Sequence, residues 1–172
     1  TFQFFQTDGV IERRVFLGIE GNPFANTSIA GLTNAPTFTG NKPDILDYPA
    51  ILEGPVNFSD LYGTQFRGYV TAPATGNYVF FISADDNAEL YLSTDDNPAN
   101  KRLIASESTY SNSRQYQTSA GSSDLALKRS DQALGPIALT AGRRYYIEAL
   151  HKEGGGGDNI SVAWQVPGGA EP

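Results

Sequence analysis

The chain contains no cysteine and no methionine, a single histidine and a single tryptophan. Without cysteine, thiolate zinc sites and every thiol mechanism are excluded. His151 is the one residue a histidine-dependent triad could use, and no Gly-x-Ser-x-Gly elbow accompanies it. Phosphate-cradling glycine patterns are also missing. No long apolar run occurs, so neither a membrane span nor a signal peptide is coded in these residues. No long window holds an i, i+3, i+4, i+7 apolar stripe, which argues against long helices. Basic residues are in the minority, 12 against 19 acidic, for a net charge of -7. Such a chain repels phosphate backbones, so nucleic acid is not an expected partner. The missing initial Met reads as a processed or excised piece, and residues 1–172 as a single domain of a larger multidomain protein.

What is present is glycine (18), proline (10) and many Thr, Ser, Tyr and Phe, the composition of short strands joined by turns. "FRGYVTAPATGNYVFFIS" reads as strand, turn, strand. In "AELYLS", Ala88, Leu90 and Leu92 share one face and Glu89, Tyr91 and Ser93 the other. "LGPIALTAGRRYYIEALHKE" gives a short strand, a Thr-Ala-Gly turn and a longer strand. "NISVAWQV" puts Ile160, Val162, Trp164 and Val166 on one face, so Trp164 is expected in the core rather than against a ligand. "PVNFSDLYGTQF" reads as a helical turn. Residues 20–60 and the Ser-rich 105–135 read as long surface loops. The whole predicts an all-β antiparallel sandwich or barrel.

The stretches "GYVTAPATGNYVFFISADDNAELYLS" and "LTAGRRYYIEALHKEGGGGDNISVAW" resemble the PA14 domain family. The shared features are the Gly-x-Tyr-x-Phe strand, the Asp-Asp pair after it and Leu-x-Leu beyond. The Tyr-Tyr-Ile-Glu strand, the Gly-rich loop and the Trp complete them. "RRVFLGIEG" and "YGTQFRG" are similar to the family's N-terminal part. The resemblance implies a β-sandwich module of extracellular or cell-surface proteins, adhesins among them. Several members are lectins that bind sugar through calcium. There, two adjacent Asp joined by a cis peptide hold the ion, a second loop adds an Asn or other oxygens, and vicinal hydroxyls complete the shell. Other members bind no sugar.

Asp-Asp-Asn occurs twice, at 85–87 and 95–97. If the residues between form one strand, the copies lie roughly 20 Å apart at about 3.3 Å per residue and cannot share an ion. The second copy precedes Pro98 and reads as a turn. The first is either a polar inter-strand loop or, by the resemblance, the carboxylate pair Asp85 and Asp86. Adjacent strand residues point to opposite faces, so these two reach one ion only if the backbone departs from strand geometry. Calcium takes six to eight oxygens, so further ligands must come from elsewhere.

"EGGGGDN", Glu153 to Asn159, is either a flexible hairpin tip or a loop whose bare backbone approaches a ligand. The family places its second sugar-binding loop here. The resemblance thus implies metal ligands among Gly157, Asp158 and Asn159, with Asp158 competing with Asn159. Asp85, Asp86, Asn159, Gly156, Glu153 and His151 are candidate sugar contacts, although His151 reads as a surface residue at a strand end. Sequons stand at Asn26, Asn57 and Asn159. The expected function is a calcium-dependent carbohydrate-binding module, non-enzymatic and monomeric in isolation. The competing expectation is a structural or protein-interaction module.

Overall fold

Period-2 alternation becomes nine strands among the described residues, which in a computed structural model are 11–19, 27–117 and 127–172. They are β1 (Glu12–Phe16), β2 (Ile45–Asp47), β3 (Gly63–Thr71), β4 (Gly76–Asp85), β5 (Asn87–Ser93), β6 (Lys101–Glu107), β7 (Ile137–Leu139), β8 (Arg144–Lys152) and β9 (Asn159–Gln165). Two antiparallel sheets result, ordered β2-β1-β3-β8-β5-β6 and β7-β4-β9. The predicted antiparallel sandwich is the observed fold. Its helices are short: α1 (Ile29–Thr33), α2 (Pro36–Thr39) and α3 (Ser130–Ala133). Among the described residues no helix is long and apolar enough to cross a membrane.

The inward faces meet in one core. Phe66, Val70, Leu90, Leu92 and Ile147 of the large sheet pack against Tyr78, Phe80, Ile82, Val162 and Trp164 of the small one. Each such side chain, fully buried, contributes about 1.5–3 kcal/mol of transfer free energy. Trp164 is 5% exposed, packed between Tyr78 and Phe80 as its alternation predicts.

Both outer faces carry cover. The outer side of the small sheet holds Val79, Phe81 and Ala163, which pack with Tyr116. Part of the Ser-rich stretch therefore lies over this sheet, with Ile82 N donating to Lys128 O and Phe80 N to Ser130 Oγ. On the large sheet, α1 and α2 bury Ile29, Leu32 and Ala35 against Phe16 and Leu150. A Cβ at Gly63 would come 2.4 Å from the Leu32 side chain, so a larger residue there would displace Leu32.

Residues 55–62 form no helical turn, contrary to the sequence reading. Asn57 and Leu61 have φ of 53° and 54°, incompatible with a helix. The segment is instead held by long-range bonds: Leu61 N donates to Gly154 O, and Asn57 N to Asp158 O. Residues 20–60 likewise contain α1, α2 and β2 rather than loop alone.

Registers bring distant residues to one end. β8 pairs with β3 from Gly63↔Lys152 and with β5 from Asn87↔Lys152. β4 pairs with β9 down to Asp85↔Asn159. The end of β4, the start of β5, the end of β8 and the start of β9 thus converge.

Candidate metal centre

At that end the chain crosses from one sheet to the other through Asp85 and Asp86, and the peptide between them is cis. Glu153 follows β8 directly. One carboxylate oxygen from each of Asp85, Asp86 and Glu153 lies within 4.8 Å of the others. Cross-bonds fix the three. Asp86 N donates to Glu153 Oε2 at 3.0 Å, and Gly154 N donates to Asp86 Oδ2 at 3.0 Å. His151 Nε2 lies 2.7 Å from the Asp85 carbonyl. A carbonyl only accepts, so this bond places the imidazole proton on Nε2.

Among the described residues, two buried oxygen acceptors here have no protein partner. Glu153 is fully buried, yet its Oε1 is unsatisfied. Asn159 donates through Nδ2 to Ser111 O at 2.9 Å, while its Oδ1 is unsatisfied. Leaving such an atom dry and unpaired costs about 1–3 kcal/mol. Asp85 faces Asn159 across the ladder, so the amide stands beside the acidic group. Gly157 closes the other side: a Cβ there would lie 3.3 Å from Asp85 Oδ2 and 3.6 Å from Asn57 Oδ1. Gly156 and Gly157 are exposed, so the group is reached from solvent past the glycine loop.

The electrostatics show an excess of negative charge. Burial, then the neighbouring Asp86, pushes Asp85 up to about 6. Burial and Asp86 push Glu153 up to about 8. Asp86 is also raised by burial, against the opposing pull of the Gly154 N–H and Lys152. Burial drives His151 down to about 4, keeping it neutral. The three carboxylates offer oxygen donors only, which suits a hard cation such as calcium.

The other expected site residues are placed as follows. Asp158 lies outside the carboxylate group. Its Oδ2 accepts from Phe58 N (2.7 Å) and Ser59 N (3.0 Å), and its Oδ1 from Tyr62 Oη (3.0 Å), so it braces the 55–62 loop. Gly156 N donates to Asp60 Oδ1, on the same loop. His151 is fully buried, edge-on to Tyr62, and cannot touch a sugar. The surface reading fails because β8 is a central strand flanked by β3 and β5 along its length. Glu153, expected as a sugar contact, sits instead with the aspartates. Only its place beside the glycine run hinted at this, since the contact is made through space.

The Ser-rich stretch also reaches the centre. Tyr110 bridges to Asp85, and Ser111 N donates to Ala84 O at 2.6 Å. The second Asp-Asp-Asn is a turn: Asn97 N bonds Asp95 Oδ1, and Asn97 Oδ1 accepts from Ala99 N. Asn159 is buried, so a glycan there is incompatible with this fold, whereas Asn57 is exposed. Asn26 lies outside the described residues.

Fold and site together define a β-sandwich module with an acidic, oxygen-lined end. The chain belongs to the PA14 domain family, whose model matches residues 59–172. It is 34% identical over 110 residues (61% of this chain, 10% of the relative) to mouse N-acetyl-beta-glucosaminyl-glycoprotein 4-beta-N-acetylgalactosaminyltransferase 1. To human fibrocystin-L it is 35% identical over 94 residues, 55% of this chain and 2% of that protein. The chain thus spans a tenth or less of these relatives. Among solved structures it resembles the Candida glabrata epithelial adhesin 9 A domain in complex with Galβ1-4GlcNAc. The TM-score is 0.60 at 10% identity, covering 99% of this chain and 91% of that one. An anti-sigma factor domain-containing protein from Clostridium clariflavum gives a TM-score of 0.57 at 16% identity, covering 99% of this chain and 47% of that one. Identities this low show the fold alone.

Proposed function

We propose that this PA14 domain is a calcium-dependent carbohydrate-binding module of an extracellular or cell-surface protein. Asp85, Asp86, Glu153 and the Asn159 amide oxygen hold the ion, with the Gly157 backbone against it. The observation that carries this reading is the pair of buried, unsatisfied acceptors, Glu153 Oε1 and Asn159 Oδ1, beside two half-buried aspartates. Protein oxygens fill part of a shell of six to eight, and the open side past Gly156 and Gly157 leaves room for vicinal hydroxyls. A bound calcium would supply the attraction for those hydroxyls. His151 holds the Asp85 carbonyl from behind, and Asp158 stiffens the neighbouring loop. Structural neighbours solved with Galβ1-4GlcNAc and Galβ1-3GlcNAc support saccharides as the ligand class. The module works by binding, not catalysis, and multiple display would raise a weak single-site affinity through avidity.

Calorimetric titration with lactose, N-acetyllactosamine and glucose, with calcium and with EDTA, tests this. Binding of one or more sugars in calcium alone is expected. Calcium binding without sugar binding would instead favour an ion that only braces the corner between the sheets. The full burial of Glu153 is the feature compatible with that second reading.

A further inference from the structure

The large sheet has an outer surface that α1 and α2 leave uncovered near Tyr69. A cleft of about 440 Å³ lies there, lined by Glu12, Tyr48, Arg67, Tyr69 and Tyr146, with Pro98 at one wall. It is built from β1, β3 and β8 and the residue after β2, none of which contributes Asp85, Asp86 or Asn159. Tyr48 is 54% exposed and Tyr69 38%, high values for rings this large. Arg67 and Tyr69 lie two apart on β3 and therefore on one face. Tyr69 pairs directly with Tyr146.

The polar groups of the cleft are only partly used. Arg67 donates through Nε to Glu12 Oε1 at 2.5 Å. Among the described residues its two terminal amino groups have no protein partner, and neither do the Tyr48 and Tyr69 hydroxyls. Glu12 is shared with Arg14, whose Nε donates to the same oxygen at 2.6 Å. Arg144 stacks on Tyr69 with its guanidinium carbon 4.4 Å from the ring centre, and pairs with Asp96 only at 3.5 Å. Glu148, deeper in the face, is neutralised by Lys101 at 2.7 Å. The charged residues of the lining are thus Arg67 and Glu12, and Glu12 divides its carboxylate between Arg67 and Arg14.

We infer that this cleft is a second, metal-independent saccharide site that takes a sugar unit bearing a carboxylate. The guanidinium fork of Arg67 suits a planar carboxylate in bidentate geometry. The exposed Tyr48 ring suits the apolar face of a pyranose, and the free hydroxyls suit a ligand that both donates and accepts. Arg67, whose Glu12 partner is shared with Arg14, separates this from a site for neutral sugars. The inference stands whether or not the calcium centre binds sugar.

Amide chemical shifts of the calcium-loaded 172-residue chain, titrated with a glucuronate-containing disaccharide, test it. Shifts are expected at Arg67, Tyr69 and Tyr146, unchanged by EDTA and by Asp85→Asn. Arg67→Ala and, independently, Tyr48→Ala are expected to weaken binding at least tenfold. Tyr48 is exposed, so its truncation reports binding without a folding defect. The same disaccharide with its carboxylate reduced to the alcohol is expected to bind at least tenfold more weakly. Absence of shifts, loss of binding in EDTA, or equal binding of the reduced disaccharide each overturns the inference. Equal or tighter binding of a Glu-rich peptide at these amides overturns it in favour of a protein partner.

Discussion

Asp85→Asn keeps the size of the side chain and removes one charge from a group of three. Calcium affinity, read by titration calorimetry, is expected to fall at least tenfold, or about 1.4 kcal/mol. Burial and Asp86 raise the Asp85 carboxyl, so the same change relieves repulsion. The calcium-free melting temperature should therefore stay level or rise. A binding loss accompanied by a lower calcium-free melting temperature would count against this account. Glu153→Gln should behave alike for the ion but also weakens the bond Asp86 N makes to Oε2. His151→Ala is different. It opens a cavity under Tyr62 and leaves the Asp85 carbonyl without its donor. A loss of about 2–4 kcal/mol in urea unfolding is expected, from cavity and lost bond together.

Elements differ in how plainly they were written in the sequence. β4, β5 and β9 were legible because apolar residues recur every second position or run continuously where both faces are covered, as in Tyr78–Ile82. α1 and α2 were not, since four or five residues cannot display a helical period. The loop at 55–62 misled because its shape is imposed by Asp158, about a hundred residues on. Asp85 and Asp86 were legible as a pair by resemblance to the PA14 family. Glu153 was not, because nothing in spacing reveals a partner that a strand register delivers. Gly157 offers a test at this scale. Gly157→Val places branched carbons against Asp85 Oδ2. It should reduce calcium binding markedly while the circular dichroism spectrum stays unchanged.

The cover of the small sheet has its own pH signature. Arg129 pairs with Asp131 at 2.7 Å and holds that carboxyl below its ordinary value. A depressed folded pKa means stability that is present above the unfolded value, near 4, and lost as pH falls through the folded one. Both side chains are only partly buried, so the contribution is under about 1 kcal/mol after solvent screening. Asp131→Asn should therefore flatten the acid limb of the stability curve below pH 4 slightly. An identical limb in both proteins would show that the pair is not coupled to folding.

At the scale of the whole molecule, the proposed calcium would join parts far apart in the chain. Binding to the folded state alone stabilises by RT ln(1 + [L]/Kd), about 2.7 kcal/mol at a hundredfold excess over Kd. A calcium-dependent rise in melting temperature, abolished by EDTA, is expected. Asp85→Asn should remove that rise, while Asp95→Asn, in the turn of the second Asp-Asp-Asn, should leave it intact.

The crossing at Asp85 and Asp86 is also a mechanical joint. β4 belongs to one sheet, and β5 and β8 to the other, so an ion held by Asp85, Asp86 and Glu153 would rivet the two layers at one corner. Shear that slides the layers would load this rivet before it loads the core. A module displayed on a surface under flow would then resist tension in proportion to how firmly its corner is clamped. In single-molecule pulling, the force that separates the layers should be higher with calcium than with EDTA, and insensitive to calcium once Asp86 is replaced by Asn.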